Sequence, residues 1–244
     1  MSQKIALICQ YELLEHRVGG MDHFFWAFDA KCKDHGIDVD WFFPNAVSHG
    51  AYPQLTIISA KYKSIEHFFL NHVKTQVKSY DLVMTHFIEL STFFAKEVKR
   101  TGIKNLIQVD HNPRPYGGYG FSKRLKKRIK GLLYSSYVDL FIGVSKNTSL
   151  EIIRDFGQSV SHKTKTFYNG VKLDSIPIKK ENTFSKPPKF IVVSHLRKSK
   201  GIQDLIQAVS RLEGPIKDQI VIDLYGSGPM EEDLKIQVIE LDCA

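Results

Sequence analysis

The chain has 244 residues, of which 43% are hydrophobic and 25% charged, a composition typical of globular proteins with a packed core. No apolar run reaches the length of a membrane-spanning helix, no secretory signal is visible, and the three scattered cysteines lack metal-site spacing. We therefore expect a cytoplasmic protein. Its net charge of +8 favours partners that carry phosphate.

Strand and helix patterns alternate along the chain, which predicts an α/β fold with a parallel sheet. The predicted strands of the first part are at 5–9, 39–43, 55–59, 82–85, 106–109, 140–144 and 164–168. The predicted helices there are at about 20–33, 65–77 and 90–99, and a basic helix begins at about 123. A further helix runs to about 156, and Ser145 is its predicted N-cap.

The βα pattern lapses between 172 and 188, a stretch rich in Lys, Ser, Glu and Pro that is typical of a linker. Strands at 190–193 and 220–224 and helices at 202–212 and 230–241 follow it. The sequence thus predicts a complete domain at 1–171, a linker at 172–188 and a partial domain at 189–244. So short a second sheet should leave apolar strand surface exposed.

Two turns of the second domain suit an anionic ligand. The segment 193–201 leads from a strand through Arg197 and Lys200 into a helix, so that cations and unpaired helix amides face one point. The turn 225–229 contains Gly226 and Gly228 and also follows a strand. Both turns are predicted at the carboxyl edge of the sheet, where open α/β sheets bind ligands. The plainer alternatives are a solvated basic loop and a tight turn.

Gly19 and Gly20 open the first helix, and backbone amides there can approach a phosphate. No G-x-G-x-x-G follows the first strand, which argues against a nicotinamide enzyme. His111 ends a buried strand before a loop rich in Pro and Gly, although it is one of ten histidines and does not stand out alone.

A basic segment lies at 123–130, where apolar residues such as Leu125 and Ile129 recur at helical spacing. Such a helix can lie on an anionic membrane, or it can pack by its apolar stripe with its basic face in solvent. Both interpretations stay open at this point. No aromatic platform accompanies the charges, so nucleic acid is not an expected partner. The basic residues of the segment are Lys123, Arg124, Lys126, Lys127, Arg128 and Lys130.

Six motifs together resemble the retaining glycosyltransferases of GT-B architecture, family 4, also called glycosyl transferases group 1. They run in the family's order over nearly the whole chain. They are Gly19-Gly20, Asp110-His111 and the segments 138–145, 168–171, 193–201 and 225–229.

The resemblance implies two Rossmann-like domains and a nucleoside diphosphate sugar, of UDP or GDP type, as donor. It implies no metal and no other cofactor. The acceptor would be a glycan or a lipid-linked glycan of cell-surface polysaccharide synthesis, such as lipopolysaccharide or capsule, reached in the cytoplasm or at the inner face of the membrane. By resemblance, the catalytic residues would be His111, Arg197 and Lys200, and the donor-binding residues Gly19, Gly20, His195, Gly226 and Gly228.

The chain departs from the family pattern at three points. His195 stands where the family usually has Arg, and Lys172 stands where it has Asp. The family's later half, with a Glu-x7-Glu motif for the donor, is not in the 244 residues. We therefore expect these residues alone to lack transferase activity. One alternative is an inactive or degenerate fragment that binds glycan, membrane or a partner; another is an epimerase or phosphorylase on the same architecture.

Overall fold

A computed structural model describes residues 3–75, 80–115, 117–170, 173, 177 and 189–243. The chain divides into two compact units, Met1–Leu173 and Asp174–Ala244, and each unit has its own parallel sheet. Apart from Leu173 and Pro177, the predicted linker lies outside the described residues.

The first unit contains a seven-stranded sheet in which every neighbouring pair is parallel. The strand order is β3-β2-β1-β4-β5-β6-β7, so the predicted parallel α/β sheet is confirmed. The strands are β1 (Gln3–Cys9), β2 (Ile37–Phe43), β3 (Thr56–Ser59), β4 (Leu82–His86), β5 (Asn105–Asp110), β6 (Leu140–Gly143) and β7 (Thr164–Thr166).

Helices follow most of these strands, at α1 (Gly20–Asp34), α2 (Ile65–Thr75), α3 (Phe93–Arg100), α4 (Phe121–Tyr134) and α5 (Lys146–Phe156). Ser145 caps α5 as predicted, because its Oγ accepts a hydrogen bond from the Thr148 amide at 3.0 Å. Helix α3 begins at Phe93 rather than at Leu90, and Ser91 just before it has a φ of +53° that no α-helix accommodates.

The core of the first unit lies on both faces of the sheet, as a parallel sheet requires. On one face Phe25 of α1 packs edge-on against Trp41 of β2, with ring centroids 5.3 Å apart. On the other face Phe69 of α2 and Phe94 of α3 pack among buried strand residues. The loops after β4 and β5 are therefore anchored by buried strand ends, His86 and Asp110.

The strand order reverses at β1, which lies between β2 and β4. The connections that leave β1 and β4 therefore run to different sides of the sheet, and a crevice opens at their carboxyl ends. His86 ends β4 and Asp110 ends the neighbouring β5, so the residues after these strands meet at this edge.

The second unit has two parallel strands, β8 (Lys189–Val193) and β9 (Val221–Tyr225). Helices α6 (Ile202–Ser210), α7 (Pro215–Gln219) and α8 (Glu231–Glu240) accompany them, and α7 was not predicted from the sequence. A small core of Leu196, Ile202, Ile206 and Leu234 joins α6 to α8. Apolar strand residues remain exposed, such as Ile191 at 67% and Val193 at 75%, which confirms the expected apolar surface.

Candidate functional site

Two histidines meet at the carboxyl edge of the first unit's sheet. His86 Nδ1 lies 2.9 Å from His111 Nε2, and the His111 ring stacks on Phe87 with centroids 4.3 Å apart. Burial, followed by the neighbouring His111, lowers the pKa of His86 from 6.5 to about 3. Burial lowers the pKa of His111 to about 4, although Asp110 opposes the shift. Both rings are therefore neutral at pH 7.

The start of α1 is organised around the buried carboxylate of Asp22. Its Oδ2 accepts hydrogen bonds from the Gly19 amide at 2.8 Å and the Tyr11 hydroxyl at 3.1 Å, and its Oδ1 accepts one from Tyr52. The Gly19 amide, which was predicted to face a phosphate, therefore already donates its hydrogen bond to a carboxylate of the chain. A Cβ at Gly20 would meet nothing within 4 Å, so there is open space beside that residue.

A buried ion cluster holds the loop that follows His111. The Arg114 guanidinium donates to Asp155 through Nε at 2.9 Å and to Asp110 through an Nη at 2.7 Å. Lys127 Nζ is 3.1 Å from Asp155, and the side chain of Arg114 is only 6% exposed. Burial lowers the pKa of Arg114, but the hydrogen bond and charge of Asp110 and the charge of Asp155 outweigh it and leave that pKa raised.

Ion pairs neutralise two of the six basic residues that form the predicted patch on α4. Lys127 turns inward to the buried carboxylate of Asp155, and Lys130 pairs with Glu89 at 2.7 Å. Neither side chain is a free surface cation. The four other basic residues of the segment are exposed, and within the described ranges no acidic side chain pairs with them; they are Lys123, Arg124, Lys126 and Arg128.

The apolar stripe of α4 is exposed, which contradicts the interpretation that it packs against the protein. Phe121 is 81% exposed and Leu132 is 74% exposed, while Gly131 is the buried residue of this helix. At about 100° per residue, the stripe points away from the side that carries Gly131. The other exposed apolar residues of the stripe are Leu125, Ile129 and Leu133.

A groove of about 780 Å³ opens between α2, α3 and the end of α4, beside the loop after β4. Phe87, Phe93 and Tyr134 supply aromatic surface, and Gln10 and Asn71 supply amides. Burial raises the pKa of Glu66, which also lines the groove. Groups of this kind can bind a polar ligand that has apolar faces.

In the second unit, the loops after β8 and β9 lie against each other. The Ser194 amide donates to the Tyr225 carbonyl at 3.0 Å, and the Leu196 amide donates to the Ser227 carbonyl at 2.9 Å. Gly226 and Gly228 have φ values of +151° and +159°, and a Cβ on Gly226 would collide with the Ser194 carbonyl. This close backbone approach explains both glycines without a ligand, so their role at a nucleotide stays a prediction.

The basic turn sits at the carboxyl edge of this small sheet. Arg197, Lys198 and Lys200 are exposed, and no acidic partner pairs with them within the part of the chain that the structure describes. Gly201 has a φ of +70° and leads into α6, whose first-turn amides have no partner within the helix. The arrangement can bind an anion.

His195 lies beside the basic turn, and one hydrogen bond determines its tautomer. Its Nδ1 is 2.6 Å from the Ser227 carbonyl, which can only accept, so Nδ1 carries the proton. The neutral ring then presents a lone pair at Nε2. Only the imidazolium form of His195 can donate a hydrogen bond to a phosphate oxygen.

Four polar residues of these sites were not predicted from the sequence, namely His86, Asp22, Arg114 and Asp155. His86 could have been found, because it is a polar residue that ends an apolar strand at the same edge as His111. Asp155 gave no such signal, since it is simply an acidic residue of a helix. Among the described residues, no three His, Cys, Asp or Glu side chains are grouped so that they could hold a metal ion.

Comparison with known proteins gives one family match. The family model described as Glycosyl transferases group 1 matches residues 175–243, which includes the basic turn and the glycine turn. No curated protein matches the chain. None of the helices in the described segments is long and apolar enough to cross a membrane.

Solved structures resemble the chain at low sequence identity. An E. coli protein described as trehalose-6-phosphate bound with UDP-2-fluoro glucose has a TM-score of 0.62 at 11% identity, over 98% of this chain and 69% of that one. The catalytic domain of starch synthase IV from Arabidopsis thaliana, bound to ADP and acarbose, has a TM-score of 0.62 at 11% identity, over 100% of this chain and 73% of that one. WaaG, a glycosyltransferase involved in lipopolysaccharide biosynthesis, has a TM-score of 0.59 at 14% identity, over 98% of this chain and 67% of that one. The fold is thus of the GT-B type, as predicted.

Proposed function

We propose that this chain carries part of the active site of a glycosyltransferase that takes a sugar from a nucleoside diphosphate sugar, and that the 244 residues alone bind the nucleotide without catalysing transfer. The observation that supports this most is the basic turn, where the exposed residues Arg197, Lys198 and Lys200 come directly before the first turn of α6. Cations beside unpaired helix amides form a site for a diphosphate. The turn lies within the segment that the glycosyltransferase family model matches.

Arg197 and Lys200 would stabilise the negative charge that develops on the leaving diphosphate. Removing one such donor typically slows a reaction about 100- to 1000-fold. As the family resemblance implies, His111 would contact the donor sugar or phosphate. Transfer would retain the anomeric configuration, as the family resemblance implies. The donor would be a UDP or GDP sugar, as the family resemblance implies. One similar structure is bound to UDP-2-fluoro glucose, whereas another is bound to ADP.

The acceptor would be a glycan or lipid-linked glycan bound in the groove between α2 and α3. Phe93 and Tyr134 offer flat apolar faces to sugar rings, and Asn71 and Gln10 offer hydrogen-bonding amides. Lys130 and Tyr134 belong both to this groove and to α4. A lipid-linked acceptor in the groove would therefore lie close to whatever surface α4 contacts.

That surface would be an anionic membrane. The exposed stripe from Phe121 to Leu133 is flanked by Arg124 and Arg128 on one side and by Lys126 on the other. An apolar stripe between basic residues is the pattern of helices that lie in the headgroup region, where each cation contributes roughly 1 kcal/mol. The protein would thus act in cell-surface polysaccharide synthesis at the inner face of the membrane.

Calorimetric titration with UDP and GDP tests the donor site. We expect saturable binding that weakens at least tenfold in the variant Arg197→Met/Lys200→Met, because a hydrogen bond to a charged group contributes about 1.5–3 kcal/mol. Arg211→Met is the matched control, since Arg211 is an exposed cation just beyond the other end of α6. The donor-site proposal fails if neither nucleotide binds, or if the double variant binds as tightly as the control.

Vesicle sedimentation tests the membrane surface. Binding to anionic vesicles should exceed binding to neutral ones, and Phe121→Ser/Leu132→Ser should reduce it, whereas Leu150→Ser on α5 should not. Leu150 is also an exposed leucine, at 57%. Equal binding to the two vesicle types would exclude the membrane role. Vesicle binding by a chain that binds no nucleotide would favour the alternative of a membrane-associated binding protein.

A further inference from the structure

His86 is a polar residue in an apolar environment at the end of β4. It is 2% exposed, and the rings of Phe24 and Phe25 lie with centroids 5.6 and 6.5 Å from its own. Its Nε2 has no hydrogen-bond partner among the described residues. A leucine would fill this position at lower cost, because a buried polar atom without a partner costs roughly 1–3 kcal/mol. A polar residue here therefore calls for a reason other than stability.

The contact that His86 does make is with His111. Its Nδ1 faces His111 Nε2 at 2.9 Å, while Phe87 stacks on the His111 ring. These two contacts leave His111 Nδ1 as the ring nitrogen that remains available, since nothing in the described part of the chain hydrogen-bonds to it. His111 itself is partly exposed at the carboxyl edge of the sheet, so a ligand can reach it.

Two neutral imidazoles can share this hydrogen bond in two ways. If His111 Nε2–H donates, the proton of His86 is on Nε2, buried and without an acceptor. If His86 Nδ1–H donates, His86 Nε2 is a bare lone pair and His111 carries its proton on Nδ1. Orphaned buried N–H groups are rarer in proteins than unsatisfied acceptors, which favours the second arrangement.

We propose that His86 is a positioning residue that holds His111 in its Nδ1–H tautomer, so that His111 donates a hydrogen bond from Nδ1 to an oxygen of the donor sugar. This inference rests on the proposed function for the identity of the ligand. The tautomer itself depends only on the contact between the two rings. The lowered pKa values of both histidines are consistent with it, because a charged ring would remove the acceptor from the pair.

Nitrogen-15 NMR of the full chain, labelled at histidine, tests the tautomer, with His111→Ala used for assignment. Wild-type His111 should show the Nδ1–H pattern, and His86→Leu should shift it toward a mixture of tautomers. His86→Asn should restore the pattern, because its side-chain amide can donate from near the position of Nδ1. An Nε2–H pattern in the wild type would overturn the proposal, and so would a pattern unchanged by His86→Leu.

Binding measurements test the role toward the sugar. His86→Leu should weaken binding of the UDP or GDP sugar about tenfold, because one hydrogen bond to the sugar is lost. Binding of the nucleoside diphosphate alone, UDP or GDP, should be unchanged. His86→Asn should recover most of the loss, which a merely structural effect would not do. Equal loss for both ligands would overturn the positioning role. If no nucleotide binds at all, the proposed function fails, while the tautomer measurement still decides the His86–His111 pair.

Discussion

Replacing Arg114 by methionine should strongly destabilise the first unit. The change removes the guanidinium that donates to both Asp110 and Asp155, two carboxylates that are 4–5% exposed. Among the described residues, Asp155 then keeps Lys127 as its cation, and Asp110 keeps the hydrogen bond from the Asn112 amide but has no cation. Breaking a buried ion pair by removing one partner costs about 3–5 kcal/mol, because a buried charge is left uncompensated. Arg154→Met is the control: Arg154 pairs with Glu151 but is 72% exposed, and such pairs contribute roughly 0.2–1 kcal/mol.

Urea and thermal melts followed by circular dichroism measure the difference. For a unit of this size each kcal/mol corresponds to roughly 2–4 °C, so Arg114→Met should lower the melting temperature by roughly 6–20 °C. Adding Asp155→Asn to Arg114→Met should recover part of the loss, since it removes one of the unpaired carboxylates. A loss for Arg114→Met no larger than that for Arg154→Met would refute the inference that this cluster holds the loop after β5.

Three further predictions follow from burial and backbone geometry. The first unit should lose stability as pH falls below 6.5, because the unfolded chain then protonates His86 and His111 while the folded chain, with pKa values of about 3 and 4, does not. In urea melts, the free energy of unfolding should fall by up to about 1.4 kcal/mol per pH unit for each histidine. A pH dependence that His86→Leu leaves unchanged would contradict this. Gly131→Ala should lower the free energy of unfolding by about 1–3 kcal/mol, because the new Cβ would lie 2.5 Å from the backbone of α5. Gly20→Ala should be neutral or stabilising, because its Cβ would lie in open space. Equal melting temperatures for the two variants would refute this. Gly226→Ala should separate the loops after β8 and β9, and hydrogen exchange at wild-type rates throughout the second unit would show that they stay together.

Local sequence patterns determined the order and type of most elements. Continuous apolar runs such as Ile5–Cys9 gave the buried parallel strands, and Ser145 marked the start of α5. The apolar runs before the basic turn and the glycine turn placed both turns at strand ends, where the structure has them. These features were predictable because each depends on residues close together in the chain, whose backbone preferences and hydrophobic periodicity act locally.

The side-chain partnerships were decided by the tertiary structure alone. His86 meets His111 because β4 pairs with β5 in one particular register, and Lys127 turns inward because Asp155 of α5 is buried beside it. The exposure of Leu132 depends in the same way on which side of α4 faces α5. Charge and apolar periodicity show that a helix has two faces, but not which face the rest of the protein covers. That choice depends on strand order and on close packing between segments far apart in the sequence.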